Sequence, residues 1–136
     1  MSFQVRTATV AGASTAVGAA GPFTLVVDRP EAAGGGGLGF NGGQLLYLAV
    51  AGCVSNDLFR EADKLGIALR HVEVTVDGHF SGEPAVSGDI TYHVSVGGDA
   101  SDEQLRALVA MVDGVAEIPN SLRNGTAVRL GRVHIG

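Results

Sequence analysis

The stretch Asn41–Gly66, NGGQLLYLAVAGCVSNDLFREADKLG, constrains the fold more than any other part of the chain. From Leu45 to Val54 nearly every side chain is apolar or small, whichever way a helical wheel is turned. A helix that is apolar all round must be buried. The run is about half the ~20 apolar residues a bilayer span requires, so it belongs in a protein core. From Ser55 the pattern narrows to a stripe: Leu58, Phe59, Ala62 and Leu65 are apolar, while Arg60, Glu61, Asp63 and Lys64 face water. Gly66 then supplies the stop. One helix is therefore expected to enter deep in the core and leave at the surface, with the only cysteine, Cys53, in its buried half.

Such a helix needs cover. The chain has 136 residues, 46% of them hydrophobic, which fits one compact domain over residues 1–136 with a core of its own. Tryptophan is absent and aromatics are few, so that core is built from Val, Leu, Ile and Ala. The net charge is −5 and the arginines are scattered, which excludes a nucleic-acid footprint. A single cysteine cannot close an internal disulfide, which fits a reducing compartment. The opening MSFQVRTATV carries no basic segment followed by an apolar one, so a cytoplasmic protein without membrane partners is expected.

Around the helix the sequence predicts strands. Residues 3–10 and 23–28 are rich in β-branched types, and 15–19 can hold a short strand between them. RPEAAGGGGLGFNGG, too glycine-rich for regular structure, is a loop that delivers the chain to the helix. After Gly66 the period becomes two. Val72, Val74 and Val76 alternate with polar residues over 69–77, and Val86, Ile90, Tyr92, Val94 and Val96 do so over 86–96, as expected of an antiparallel hairpin. Ser101–Gln104 spells a capping box before an amphipathic helix, and a shorter helix is expected from Pro119 to Gly125. Residues 126–135 read as a last strand with a bulge at Gly131. The class is α+β with mostly antiparallel pairing. About six strands and two short helices barely cover the long helix, so a homodimer enclosing it is expected.

Chemistry-bearing residues are few. Gly37–Gly42 matches GxGxxG, but it lacks the strand and parallel βαβ unit of a dinucleotide site. Free cysteine is commonly inert packing, yet Asn56 and Asp57 follow Cys53 by one turn on roughly the same face, where an apolar helix should not carry them. Cys53 lies about ten residues into its helix, so the dipole gives its thiolate little help. His71, His79, His93 and His134 lack metal-binding spacing, and His71 and His93 fall on the polar parity of their strands. Neither a metal nor another cofactor is expected. Glu117 precedes the last short helix, where a carboxylate suits the dipole.

Taken as a whole, the chain resembles the OsmC/Ohr family, the osmotically inducible and organic hydroperoxide resistance proteins. The likeness rests on the opening RTATV, the glycine-rich loop after Pro30, Asn41…Gln44-Leu45-Leu46…Cys53, and Pro119–Gly125. It implies an OsmC-like intertwined homodimer, its mostly antiparallel sheets wrapped around a long buried central helix. It also implies a bacterial protein of oxidative-stress defence with two interfacial sites. In each site, a cysteine matched here by Cys53 reduces organic hydroperoxides, a second cysteine resolves the sulfenic acid, and an arginine–glutamate pair activates the first.

This sequence departs from that pattern at three of the four groups. Glu117 holds the resolving cysteine's place, Gly43 holds the glutamate's, and the turn AGASTAVGAAG contains no arginine, Arg6 being the nearest. Two readings follow. The chain is a one-cysteine peroxidase, with Cys53 as nucleophile and an external thiol as reductant. Alternatively, it is a non-catalytic relative that binds a small apolar ligand in an interfacial pocket near Glu117, Asn56 and Asp57.

Overall fold

A computed structural model describes all 136 residues, Met1–Gly136. The chain divides into two compact units, one of Met1–Leu48 with Phe80–Val86, the other of Ala49–His79 with Ser87–Gly136. In the first unit, strands β1 (Arg6–Thr9), β2 (Ala16–Ala20) and β3 (Phe23–Val27) form an antiparallel sheet in sequence order. Both longer predicted strands are present in shortened form, and the tentative middle one is real.

Asp28, at the end of β3, organises the glycine-rich loop. Its buried carboxylate accepts hydrogen bonds from the Thr15 hydroxyl (2.9 Å) and from the amides of Arg29 (2.8 Å), Gly36 (3.1 Å) and Leu38 (3.2 Å). The Gly36 amide above all, with Thr15, Arg29 and Leu38, holds this carboxyl below the usual carboxylate range against the opposing effect of burial. Glycine is required at Gly39, where an added Cβ would fall inside contact distance of the Val26 carbonyl. The loop can therefore lie against β3, and the Phe40 amide donates to the Val26 carbonyl at 3.1 Å.

Helix α1 spans Gly42–Lys64, and Gly66 follows in the left-handed conformation at φ +69°. The buried side chains on α1 are Val50, Val54, Asp57, Leu58 and Ala62. This corrects the expected gradient along the helix. Within one chain, the amphipathic second half is the better covered, while Leu48 in the all-apolar half is 47% exposed. The reason is one-sided contact: the chain covers a single face of a rod that is apolar on several.

In the second unit, β4 (Leu69–Asp77) pairs antiparallel with β7 (Thr91–Gly98), matching Val72 with Val96 and Val74 with Val94. The predicted 86–96 strand is interrupted at Gly88–Ile90, leaving two-residue strands β5 (Phe80–Ser81) and β6 (Val86–Ser87) as a small ribbon. Helix α2 (Asp102–Val115) starts at the predicted box, with the Gln104 amide donating to Ser101 Oγ and the Ser101 amide to Gln104 Oε1. Val54, Leu58 and Ala62 of α1 form the core with Leu108, Val112 and Ala116, and Val72, Val74, Tyr92 and Val94 pack against it. Each fully buried Leu or Val contributes about 1.5–3 kcal/mol.

Two boundaries differ from expectation. Helix α3 runs Glu117–Arg123, so Pro119 sits third in the helix. Its missing N–H costs nothing there, because first-turn amides have no intrahelical acceptor. Residues 126–135 form no strand, and Val128 is 95% and Ile135 86% exposed. Alternation makes a segment fit for a sheet, but no strand of the same chain pairs with it.

Because its folded carboxyl titrates low, Asp28 stabilises the fold above the ordinary value of about 3.9 and loses that effect as pH falls through the depressed one. Asp28→Asn is expected to lower Tm by a few degrees at neutral pH and to flatten the acid limb of a Tm-against-pH curve. An unchanged curve would mean that other contacts hold the loop.

Candidate functional site

Cys53 is part-buried on α1 and packs at the edge of the core formed by Val54, Leu58 and Leu108. At 100° per residue, Cys53, Asp57, Arg60 and Lys64 fall on one stripe of the helix. Asp57 is only 6% exposed. Its Oδ1 lies 3.0 Å from Arg60 Nη1, and its Oδ2 is buried with no hydrogen-bond partner. Arg60 Nε also donates to Glu61 Oε1 at 3.0 Å, and Lys64 Nζ meets the same oxygen at 3.1 Å. Glu61 first, then Asp57 and Glu117, hold the Arg60 guanidinium above its ordinary range, while partial burial works the other way.

The candidate residues separate on this basis. Asp57 shares the cysteine's stripe and is buried, as a functional carboxylate would be. Asn56 is exposed. Glu117 is exposed at the start of α3, and its charge is felt at Arg60. The link from Glu117 towards the thiol's stripe is therefore a guanidinium, which the sequence alone did not single out. The i, i+3 spacing of Asp57 and Arg60 was the available signal.

The helix start also carries unused information. Asn41 Oδ1 accepts from the Gln44 amide, and Gln44 Oε1 from the Asn41 amide, both at 2.9 Å. This reciprocal cap fixes where α1 begins and hence where Cys53 falls. An added Cβ on Gly43, inside that cap, would stand 2.8 Å from Phe80 Cε1. The Phe80 ring stacks on Tyr47 with centroids 5.8 Å apart and planes 19° from parallel. Aromatic surface fills the space that a side chain at position 43 would enter.

The sequence gave no signal for a second polar cluster in the same unit. The Tyr92 hydroxyl donates to Asp113 Oδ1, and Arg123 Nη2 reaches the same oxygen at 2.7 Å. Arg123 Nη1 also donates to the Asp113 carbonyl at 2.9 Å and to Asn120 Oδ1 at 3.0 Å. Burial first, and then its bond to Asp113, push the Tyr92 phenol up to about 12. The cluster ties β7, α2 and α3 together. Beside it a groove of about 880 Å³ lies along β7 and α2, lined by Tyr92, Val94, Leu105, Arg106, Val109 and Asp113. Cys53 does not line it.

With that geometry in place, comparison with known proteins is decisive about kinship. Residues 34–131 match the family model described as OsmC-like protein. The chain belongs to the OsmC-like family. Its fold is similar to that of an OsmC-like protein from Mycoplasma pneumoniae, with TM-score 0.78 at 17% identity over 90% of this chain and 88% of that one. It is similar to an organic hydroperoxide resistance protein OsmC from Legionella pneumophila, with TM-score 0.69 and 21% identity over 90% of each chain. A putative organic hydroperoxide resistance protein from Vibrio cholerae, solved with captopril in one of its active sites, gives 0.60 and 26% over 89% of this chain and 85% of that one. No curated protein matches the sequence. The expected α+β class and OsmC-like fold are borne out, and no helix is long and apolar enough to cross a membrane.

The chain has two tyrosines, Tyr47 and Tyr92. In an alkaline absorbance titration of the folded protein, Tyr92 is expected to ionise near pH 12, and Tyr92→Phe to remove that late step. Since the raised phenol favours the folded state only while protonated, its contribution fades as pH climbs from about 10 towards that value. Loss of the earlier step in the variant would contradict this assignment.

Proposed function

We propose that this OsmC-like protein is a one-cysteine, thiol-dependent organic hydroperoxide reductase of oxidative-stress defence, acting as a cytoplasmic homodimer over the single domain 1–136. The observation that carries it is Cys53, the family's central-helix cysteine, part-exposed beside the Asp57–Arg60 ion pair. The thiol attacks the terminal oxygen of R–O–O–H: an S–O bond forms, the O–O bond breaks, and the thiol proton ends on the alkoxide to give R–OH. Sulfur is oxidised by two electrons and the peroxide is reduced by two. With no second cysteine in the chain, an external thiol condenses with the sulfenic acid, releasing water, and another thiol frees Cys53 as a disulfide departs.

A homodimer is supported by surface that one chain leaves open. Leu48 on α1, Val17 and Leu25 on the first sheet, and Val128, Leu130 and Ile135 near the C-terminus are all exposed. Exposed apolar surface on this scale marks an interaction site.

A second reading has its own observation in its favour. The stacked Phe80 and Tyr47 leave no room for a carboxylate side chain at Gly43, which suits an apolar binding role more than catalysis. On that reading the protein holds a small apolar molecule, with Asn56 and Glu117 at the margin of the site.

The two readings part in a single comparison. Under the reductase reading, the free thiol disappears within minutes in millimolar cumene hydroperoxide, and Cys53→Ser abolishes peroxide consumption. A thiol that survives for an hour, with ligand-dependent thermal stabilisation unchanged in Cys53→Ser, would replace the reductase with the binding protein.

A further inference from the structure

We infer that Asp57 positions the substrate: its free carboxylate oxygen accepts the O–H of a hydroperoxide whose terminal oxygen faces Cys53. The inference rests on the reductase reading and names a group to which no role has been assigned. A carboxylate oxygen that is buried and unbonded costs about 1–3 kcal/mol or more, so such atoms are rare without a reason. Asp57 Oδ2 is one, in a residue more than nine-tenths buried. Being an ionised acceptor, it can be satisfied only by a donor.

Its direction follows from the helix. Side chains lean towards the N-terminus, so that of Asp57 lies over the turn that carries Cys53, about 5–6 Å away between Cβ atoms at this spacing. Arg60, on the C-terminal side, already occupies Oδ1 at 3.0 Å and cancels most of the carboxylate's charge. A neutral, donor-bearing ligand therefore meets no net repulsion there. An alkyl hydroperoxide has one donor hydrogen, and it sits on the oxygen that sulfur attacks. Holding that hydrogen places the reacting oxygen beside the thiol, a positioning effect and not a change in the thiol itself.

The test compares two reagents on wild type, Asp57→Asn, Asp57→Ala and Asp57→Glu. Cumene hydroperoxide carries the donor; methyl methanethiolsulfonate is a neutral thiol reagent without one. Replacing Asp57 by Asn or Ala is expected to slow loss of the Cys53 thiol to the hydroperoxide about ten-fold or more, as for a bond to a charged acceptor. The rate with the thiolsulfonate should stay within about two-fold, and Asp57→Glu should recover part of the hydroperoxide rate. A large rise in the thiolsulfonate rate in Asp57→Ala would signal unfolding, in which case the folded Asn variant decides. Equal slowing with both reagents, or no slowing with either, overturns the inference while leaving the reductase intact. A wild-type thiol inert to the hydroperoxide but reactive to the thiolsulfonate defeats the reductase itself. Loss of dimer mass in Asp57→Asn would show that a second copy takes Oδ2, which also overturns it.

Discussion

One-sided burial of a helix with more than one apolar side is the constraint on which the rest of this protein depends. Val50, Val54, Leu58 and Ala62 give α1 a face that closes on α2 and on the valines of β4 and β7. Leu48, on the stretch that is apolar in every direction, remains half in water. Burying it would contribute about 1.5–3 kcal/mol, as for any such side chain. Protein stability is itself only about 5–15 kcal/mol, so a handful of such residues is a large fraction of the total. The chain is built as though more cover arrives from outside it.

That geometry places polar chemistry on a narrow border. Cys53 and Asp57 occupy the margin between the closed face of α1 and its open one, where a thiol is neither sealed nor fully solvated. Asp57 is held by Arg60, which also senses Glu61 and Glu117. This differs from the arrangement the family resemblance implies. There an arginine and a glutamate from other parts of the fold act on the cysteine, whereas here the nearest charges are one and two turns along the cysteine's own helix. A helix sets such spacings rigidly, so substitutions at 57 or 60 should act without moving the backbone.

Much of this fold was legible in the sequence, for local reasons. The period-two valines of 69–77, the Ser101–Gln104 box and the stop at Gly66 each describe interactions with near neighbours, and each was found in place. The misreadings concern distant partners. Residues 126–135 alternate correctly but have no strand to join. Leu45–Leu48 are apolar enough for a core that a single chain does not wrap around them. Asp28, which gathers donors from Thr15 to Leu38, had no local signature at all. At the site, Cys53 and Asp57 were visible from helical spacing. Arg60 was taken for solvated surface because the sequence does not show which carboxylates are buried beside it.

The central claim is that a second copy of the chain completes the cover of α1, and the native mass in solution tests it most directly. Light scattering on the purified protein across a dilution series should give twice the mass of one chain, down to low micromolar concentration. A folded protein that scatters as a single chain throughout that range would contradict the account.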